Sequence, residues 1–223
     1  MVGQTESGPL LDGSGNRRVY RAAVRGHVHA LIAMGYERLE PADFVNSEEP
    51  DITGALVDAM HDAIQDRDAP DWVDHYALPK DDRPLSVAGR RGKRRFRVDI
   101  EFERVRHGPR PLFRFEAKRL GARHPVCDYL GEDGMGCFLT GRYPVTDDEA
   151  GMLGYVQSDD EQAWAERIER RLHTNNSAYS IRSDGAWCRV RVVSGLSHTY
   201  RTRHDRKSPL PPVTIRHVLL RFR

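Results

Sequence analysis

The chain has 223 residues, 39% of them hydrophobic and 30% charged, which is the composition of a globular protein on the polar side. A net charge of +2 argues against a global basic field for nucleic acid, and no apolar run approaches the ~20 residues of a membrane helix. Cys127, Cys137 and Cys188 make neither a CxxC pair nor a zinc spacing. The N-terminus lacks a charged-then-apolar signal pattern, so the sequence predicts a cytoplasmic protein without a membrane partner.

Residues 1–16 are rich in glycine and polar residues and read as a disordered tail, leaving 17–223 as one domain. A first helix is predicted from Arg17 to Met34, where Val24, Val28, Leu31 and Ile32 keep helical spacing. His27 and His29 on it are two residues apart and do not share a face, which argues against a metal pair. A second helix is predicted after Ser47 as N-cap, with an apolar stripe of Ile52, Leu56, Val57, Met60 and Ile64. Glu48 and Glu49 in its first turn fall on the inward face, although acids belong at helix N-termini for dipole reasons alone. Residues 67–94 read as loop with a short strand within Trp72 to Leu78. The basic run that follows offers Arg91, Arg94 and Arg95 as grips for a phosphate backbone, and reads equally as a solvated loop.

Next comes a β-hairpin. Phe96, Val98, Ile100 and Phe102 alternate with Arg97, Asp99, Glu101 and Glu103, and beyond a turn at His107 and Gly108 the residues Phe113, Phe115 and Ala117 alternate with Arg114, Glu116 and Lys118. With a two-residue loop, Asp99 lies directly across from Glu116. Two carboxylates and one ammonium then converge on one patch of sheet. Mg²⁺ or Mn²⁺ is held in this way, with waters and substrate phosphates completing the shell, and such an ion serves phosphodiester hydrolysis. An acid-x-Lys triplet alone is weak, since composition gives roughly 0.6 per chain. A salt-bridged sheet face is the plain alternative. Its context is stronger: the triplet ends a Phe-rich strand, an Asp-bearing strand precedes it, and Lys118 is one of only four lysines.

Asp99 on one strand followed by Glu116-Ala117-Lys118 on the next resembles the PD-(D/E)xK nuclease superfamily. The resemblance covers the hairpin closely and residues 47–157 in element order; Val98 stands where the superfamily's motif has proline. It implies a restriction-endonuclease-like α/β core, a central mixed sheet flanked by helices, and Mg²⁺-dependent cleavage, usually of DNA. Asp99 and Glu116 would bind the metal, the Ala117 carbonyl would assist, and Lys118 would serve the attacking water. A glutamate on the preceding helix, Glu49 or Glu48, would add or brace a ligand.

Further on, a short helix is predicted from Met135 to Tyr143, a buried strand from Met152 to Gln157, and a helix from Asp160 to Leu172 capped by Asp159. Strand-like runs from Ala186 to Val193 and from Val213 to Phe222 suggest a β-rich C-terminal extension. Between them His198, Tyr200, Arg201, His204 and Arg206 offer imidazoles, a hydroxyl and guanidiniums to phosphates or bases. Three functions remain open: a metal-dependent nuclease, a non-catalytic nucleic-acid-binding or scaffold module on the same fold, and a metal-free ribonuclease with His198 and His204 as acid and base. A standalone nuclease endangers its own cell. The first reading therefore implies control by a recognition or regulatory protein partner or by homo-oligomerisation, as in an effector of bacterial defence against phage.

Overall fold

The computed structural model describes residues 13–86, 92–105, 112–145 and 148–223. It is an α/β protein built on one seven-stranded mixed sheet. Helices α1 (Gly13–Tyr36) and α2 (Glu49–Gln65) cover one face, and short helices α3 (Val126–Leu130) and α4 (Gly136–Leu139) with the longer α5 (Glu161–Thr174) cover the other. A one-turn helix, α6 (Asn176–Tyr179), follows. The strands are β1 (Lys80–Pro84), β2 (Arg97–Glu103), β3 (Leu112–Leu120), β4 (Glu149–Val156), β5 (Cys188–Arg189), β6 (Thr199–His204) and β7 (Val213–Arg221). They run across the sheet in the order β1-β2-β3-β4-β7-β6-β5. The three central strands β3, β4 and β7 are parallel, and the outer ones pair antiparallel.

The hairpin has the register expected from a two-residue loop, with Ile100 opposite Phe115 and Phe102 opposite Phe113. Its turn lies outside the described residues, as do Arg91 and residues 1–12. On the α1/α2 side, Ile100, Phe115 and Leu153 pack against Val28, Leu31, Ile52 and Leu56. On the other side, Met152, Ile215 and Leu219 meet Tyr129, Phe138, Trp164 and Ile168. Gly151 on β4 sits beside Phe115 on β3, and a Cβ there would lie 2.1 Å from the ring. The missing side chain lets the ring lie across the neighbouring strand.

Several boundaries differ from the expectation. Helix α1 begins at Gly13, inside the stretch read as tail. Glu48, not Ser47, is the N-cap residue of α2. The predicted strand near Trp72 is a 3₁₀ turn, Asp71–His75, and the actual strand β1 carries Lys-Asp-Asp-Arg-Pro with no apolar alternation. It is an edge strand, so its backbone pairs with β2 while its side chains stay largely in water. Asp160 rather than Asp159 caps α5, accepting from the Ala163 N–H at 2.7 Å. Only Cys188–Arg189 of the run from Ala186 to Val193 is strand. The C-terminal run is no extension: β7 is inserted beside β4 in the middle of the sheet.

Candidate active site

The site forms where β2 and β3 part. Asp99 stands immediately before Ile100, which is opposite Phe115 and is the last residue of β2 paired with β3 at that end. Its carboxylate there takes the place of a strand partner, with Oδ2 accepting from the Ala117 N–H at 2.6 Å. That bond fixes the carboxylate against β3 beside Glu116, the residue one register step from it. Ala117 thus contributes an N–H that orients Asp99, and its own side chain is fully buried in the α1/α2 core.

Glu116 is only 4% exposed. Its Oε1 accepts from Lys118 Nζ at 2.9 Å, whereas Oε2 is buried and meets no hydrogen-bond donor. Burial, and after it the charge of Asp99, push the Glu116 carboxyl up to about 8 against the pull of Lys118. Burial also raises Asp99, opposed by Lys118 and the Ala117 N–H. Lys118 responds the other way. Desolvation works against its charge, but Glu116, Glu49 and Asp99 outweigh it, and the ammonium is held above its ordinary value. Tyr143 closes one wall, its hydroxyl donating to the Arg97 carbonyl while burial and then Glu116 raise its pKa.

The N-terminus of α2 meets the C-terminal end of β3. Glu49 accepts from Lys118 Nζ at 2.8 Å through Oε1 and from the Arg119 N–H at 3.2 Å through Oε2. Glu48, with a side chain 68% exposed, instead pairs with Arg119 at 2.5 Å. Of the two glutamates, therefore, Glu49 reaches the buried cluster, and it does so through Lys118. Gln157 donates to the Phe44 and Ser47 carbonyls at 2.8 and 2.9 Å, tying the entry to α2 onto the end of β4.

Beyond this strap lies a groove of about 550 Å³ at the carboxyl ends of β3 and β4, lined by Asn46, Glu48, Arg119, Arg123, His124, Gln157 and Ser158. Ligands of open α/β sheets bind at such ends. Sequence reading missed Arg123, His124 and Gln157. The available signal was their place immediately after two strands of the parallel core.

Comparison with protein-family models, with curated proteins and with solved structures finds no significant match.

The remaining candidates scatter. Exposed Arg94 and half-buried Arg95 precede β2, at the sheet end that holds the site. Strand β6 is three positions from β3, roughly 14 Å at ordinary strand spacing. The structure does not bring His198 and His204 together: they stand at opposite ends of β6, roughly 20 Å apart along the strand. His204 is fully buried, bonded to the Thr202 hydroxyl at 2.7 Å and to the Tyr179 carbonyl at 2.8 Å, and burial lowers it to about 4. That geometry removes the acid–base pair and makes His204 a packing residue. Tyr200 is also buried, stacked on Trp187. Arg206 donates to the Pro211 and Phe138 carbonyls, bracing a loop. His198 is half-buried beside Tyr200, and Arg201 belongs to the opposite face of β6. Cys127, Cys137 and Cys188 are free thiols. No described helix is long and apolar enough to cross a membrane.

Among the described residues, no group of three or more His, Cys, Asp or Glu side chains is arranged to enclose a metal ion. Mg²⁺ seldom uses such a cage and commonly takes one or two carboxylates plus water and substrate oxygens. A buried carboxylate oxygen without a donor, next to a second carboxylate that raises its proton affinity, fits that donor set.

Proposed function

We propose that this protein is a divalent-metal-dependent nuclease with a restriction-endonuclease-like core of the PD-(D/E)xK type, acting on DNA. The observation that carries the reading is the buried Asp99–Glu116 pair with its unpartnered Glu116 Oε2, set beside a charged Lys118. Without a cation the two carboxylates repel each other and favour a proton, which is the electrostatic demand a hard cation satisfies. Asp99 and Glu116 would hold Mg²⁺ or Mn²⁺, which when bound supplies an activated water and neutralises phosphate charge.

The chain's own residues do the rest. Lys118 stays protonated, so its role is to stabilise charge and orient water rather than to act as a base. Two of its three N–H donors are engaged by Glu49 and Glu116, and the third remains for water or a phosphate oxygen. Glu49 positions the ammonium by holding it from the α2 side. Arg119, Arg123 and His124 line the groove beyond, and Arg94 and Arg95 flank the site from the start of β2. Both sets suit a polyanionic strand. A regulatory or recognition partner, as in an anti-phage effector, would restrain such an activity in its own cell.

The test is cleavage of supercoiled plasmid DNA by the full chain with Mg²⁺ or Mn²⁺ and with EDTA, alongside single-stranded RNA. Metal-dependent cleavage that EDTA abolishes and that Glu116→Gln loses supports the reading. Failure to cut any nucleic acid under metal, with DNA still bound, would leave a non-catalytic binding module.

A further inference from the structure

Where β2 and β3 part, each strand turns a backbone group toward the other without a strand partner. On β3 it is the Ala117 N–H, which Asp99 Oδ2 caps at 2.6 Å. On β2 it is the Arg97 carbonyl. The Phe96 carbonyl accepts from the Leu85 N–H on the β1 side at 2.7 Å, so the next carbonyl in the alternation, that of Arg97, points toward β3. The β2–β3 ladder has already ended there, because Ile100 and Phe115 are its last pair at that end. The Tyr143 hydroxyl donates to the Arg97 carbonyl in place of a strand. One carboxylate and one phenol thus close the two open edges of the gap beside Asp99 and Glu116.

Tyr143 is itself held firmly. It is buried, its N–H donates to the Cys137 carbonyl at 3.0 Å, and its ring meets Phe138 edge-on at 5.5 Å between centroids, which fastens it to α4. The next residue is fastened to the other strand. Arg114 on β3 donates to the Pro144 carbonyl at 2.5 Å and, through Nε, to Glu101 directly across on β2 at 2.8 Å. The short segment after α4 is therefore tied to β2 through Tyr143 and to β3 through Pro144. It spans the two strands that carry Asp99 and Glu116, and the phenol lies close enough to both carboxylates to feel their charge.

Two carboxylates hold one hard cation only at a fixed separation, and groups that orient metal ligands from behind contribute roughly 10–100-fold in affinity. Asp99 has no paired residue on β3, so two bonds set its distance from Glu116. One is its own bond to the Ala117 N–H. The other, two residues earlier, is the Tyr143–Arg97 bond, which keeps the end of β2 from moving off with β1. The phenol's proton is engaged by Arg97, which makes Tyr143 a clamp rather than a metal ligand. We propose that Tyr143 is a positioning residue of the metal site, holding the free end of β2 against β3 so that Asp99 and Glu116 can share one ion. This role rests on the metal-dependent reading above and adds a residue that the pattern of Asp99, Glu116 and Lys118 does not contain.

Tyr143→Phe in the full chain keeps the ring and removes only the hydroxyl, and two readouts test it. Calorimetry with Mn²⁺ should show binding weaker by about tenfold or more. In the metal-free protein, the Ala117 amide proton is shifted downfield by its short bond to a carboxylate, and in the variant it should move upfield and exchange faster. Tyr129→Phe is the control for a hydroxyl that only stabilises the fold. It removes a fully buried hydroxyl from the same apolar layer, one bonded to His217 on β7 at 3.1 Å, two strands from β3. That variant should leave both readouts at their wild-type values. Wild-type Mn²⁺ affinity in Tyr143→Phe, or an unmoved Ala117 amide, would overturn this role and leave the metal site standing. Equal weakening by Tyr129→Phe would overturn it too, because the effect would then be general loosening. Absence of Mn²⁺ binding by the wild-type chain would remove the metal site itself and this role with it.

Discussion

Replacing Glu116 by Gln should stabilise the metal-free protein at alkaline pH while abolishing cleavage. The carboxyl is raised from an ordinary 4.5 to about 8 in the folded chain, first by burial and then by Asp99. A raised folded value means that the native state holds a proton the unfolded chain has released. Its stabilising contribution is complete below pH 4.5 and is lost as the pH climbs through 8. At ~1.4 kcal/mol per unit, the loss across that window is on the order of 4–5 kcal/mol. Gln keeps the shape and never ionises, so the variant should lack this loss. For a chain of this size that is a Tm higher than wild type by roughly 8–16 °C at pH 8.5, and similar at pH 4.5. Melting both proteins across this range in EDTA, then with Mn²⁺, is the assay. Added Mn²⁺ should raise the wild-type Tm above pH 6 and leave the variant unmoved, because the ion replaces the proton between the carboxylates. If instead the metal-free wild type melts higher than the variant at pH 8.5, Glu116 is a stabilising partner of Lys118 on an ordinary sheet face, and the metal site is lost with it.

Other variants separate the remaining roles. Lys118→Met should keep Mn²⁺ affinity within about threefold by calorimetry and stop cleavage; full cleavage would reduce the lysine to a surface-type ion pair worth roughly 0–1 kcal/mol. Glu49→Gln should lower kcat about tenfold with metal affinity nearly unchanged, since its oxygens are engaged by Lys118 and the Arg119 N–H. Loss of metal binding in that variant would make Glu49 a ligand. Arg91, Arg94 and Arg95 changed together to Ala should weaken DNA binding and flatten its salt dependence by about 0.9 in log–log slope per lost phosphate contact; an unchanged slope would assign the run to plain surface. Mn²⁺ binding should release close to one proton near pH 6, falling to about half a proton near pH 8, and should tighten up to about tenfold per unit over the lower part of that window, whereas binding independent of pH would show that Glu116 is not protonated in the free protein.

The sequence by itself determined what repeats with a local period. Alternation of apolar and charged residues around Asp99 and Glu116 set which residues share a face of the hairpin, because a one-residue slip would turn packing residues such as Ile100 and Phe115 into water, while the register itself followed from a two-residue loop. Helical spacing likewise marked the buried stripes of α1, α2 and α5. Only the tertiary structure decided which elements became neighbours. Strand β7 reads locally like any apolar run, and its pairing with β4 places it in the sheet centre. Edge strand β1 has no pattern to read, because its backbone is paired while its side chains are not packed. The choice of Glu49 over Glu48 came from the angle at which α2 meets the end of β3, and His204 became a core residue because α6 covers it. Charge placement across elements far apart in the chain depends on long-range pairing, which side-chain periodicity within one segment does not encode.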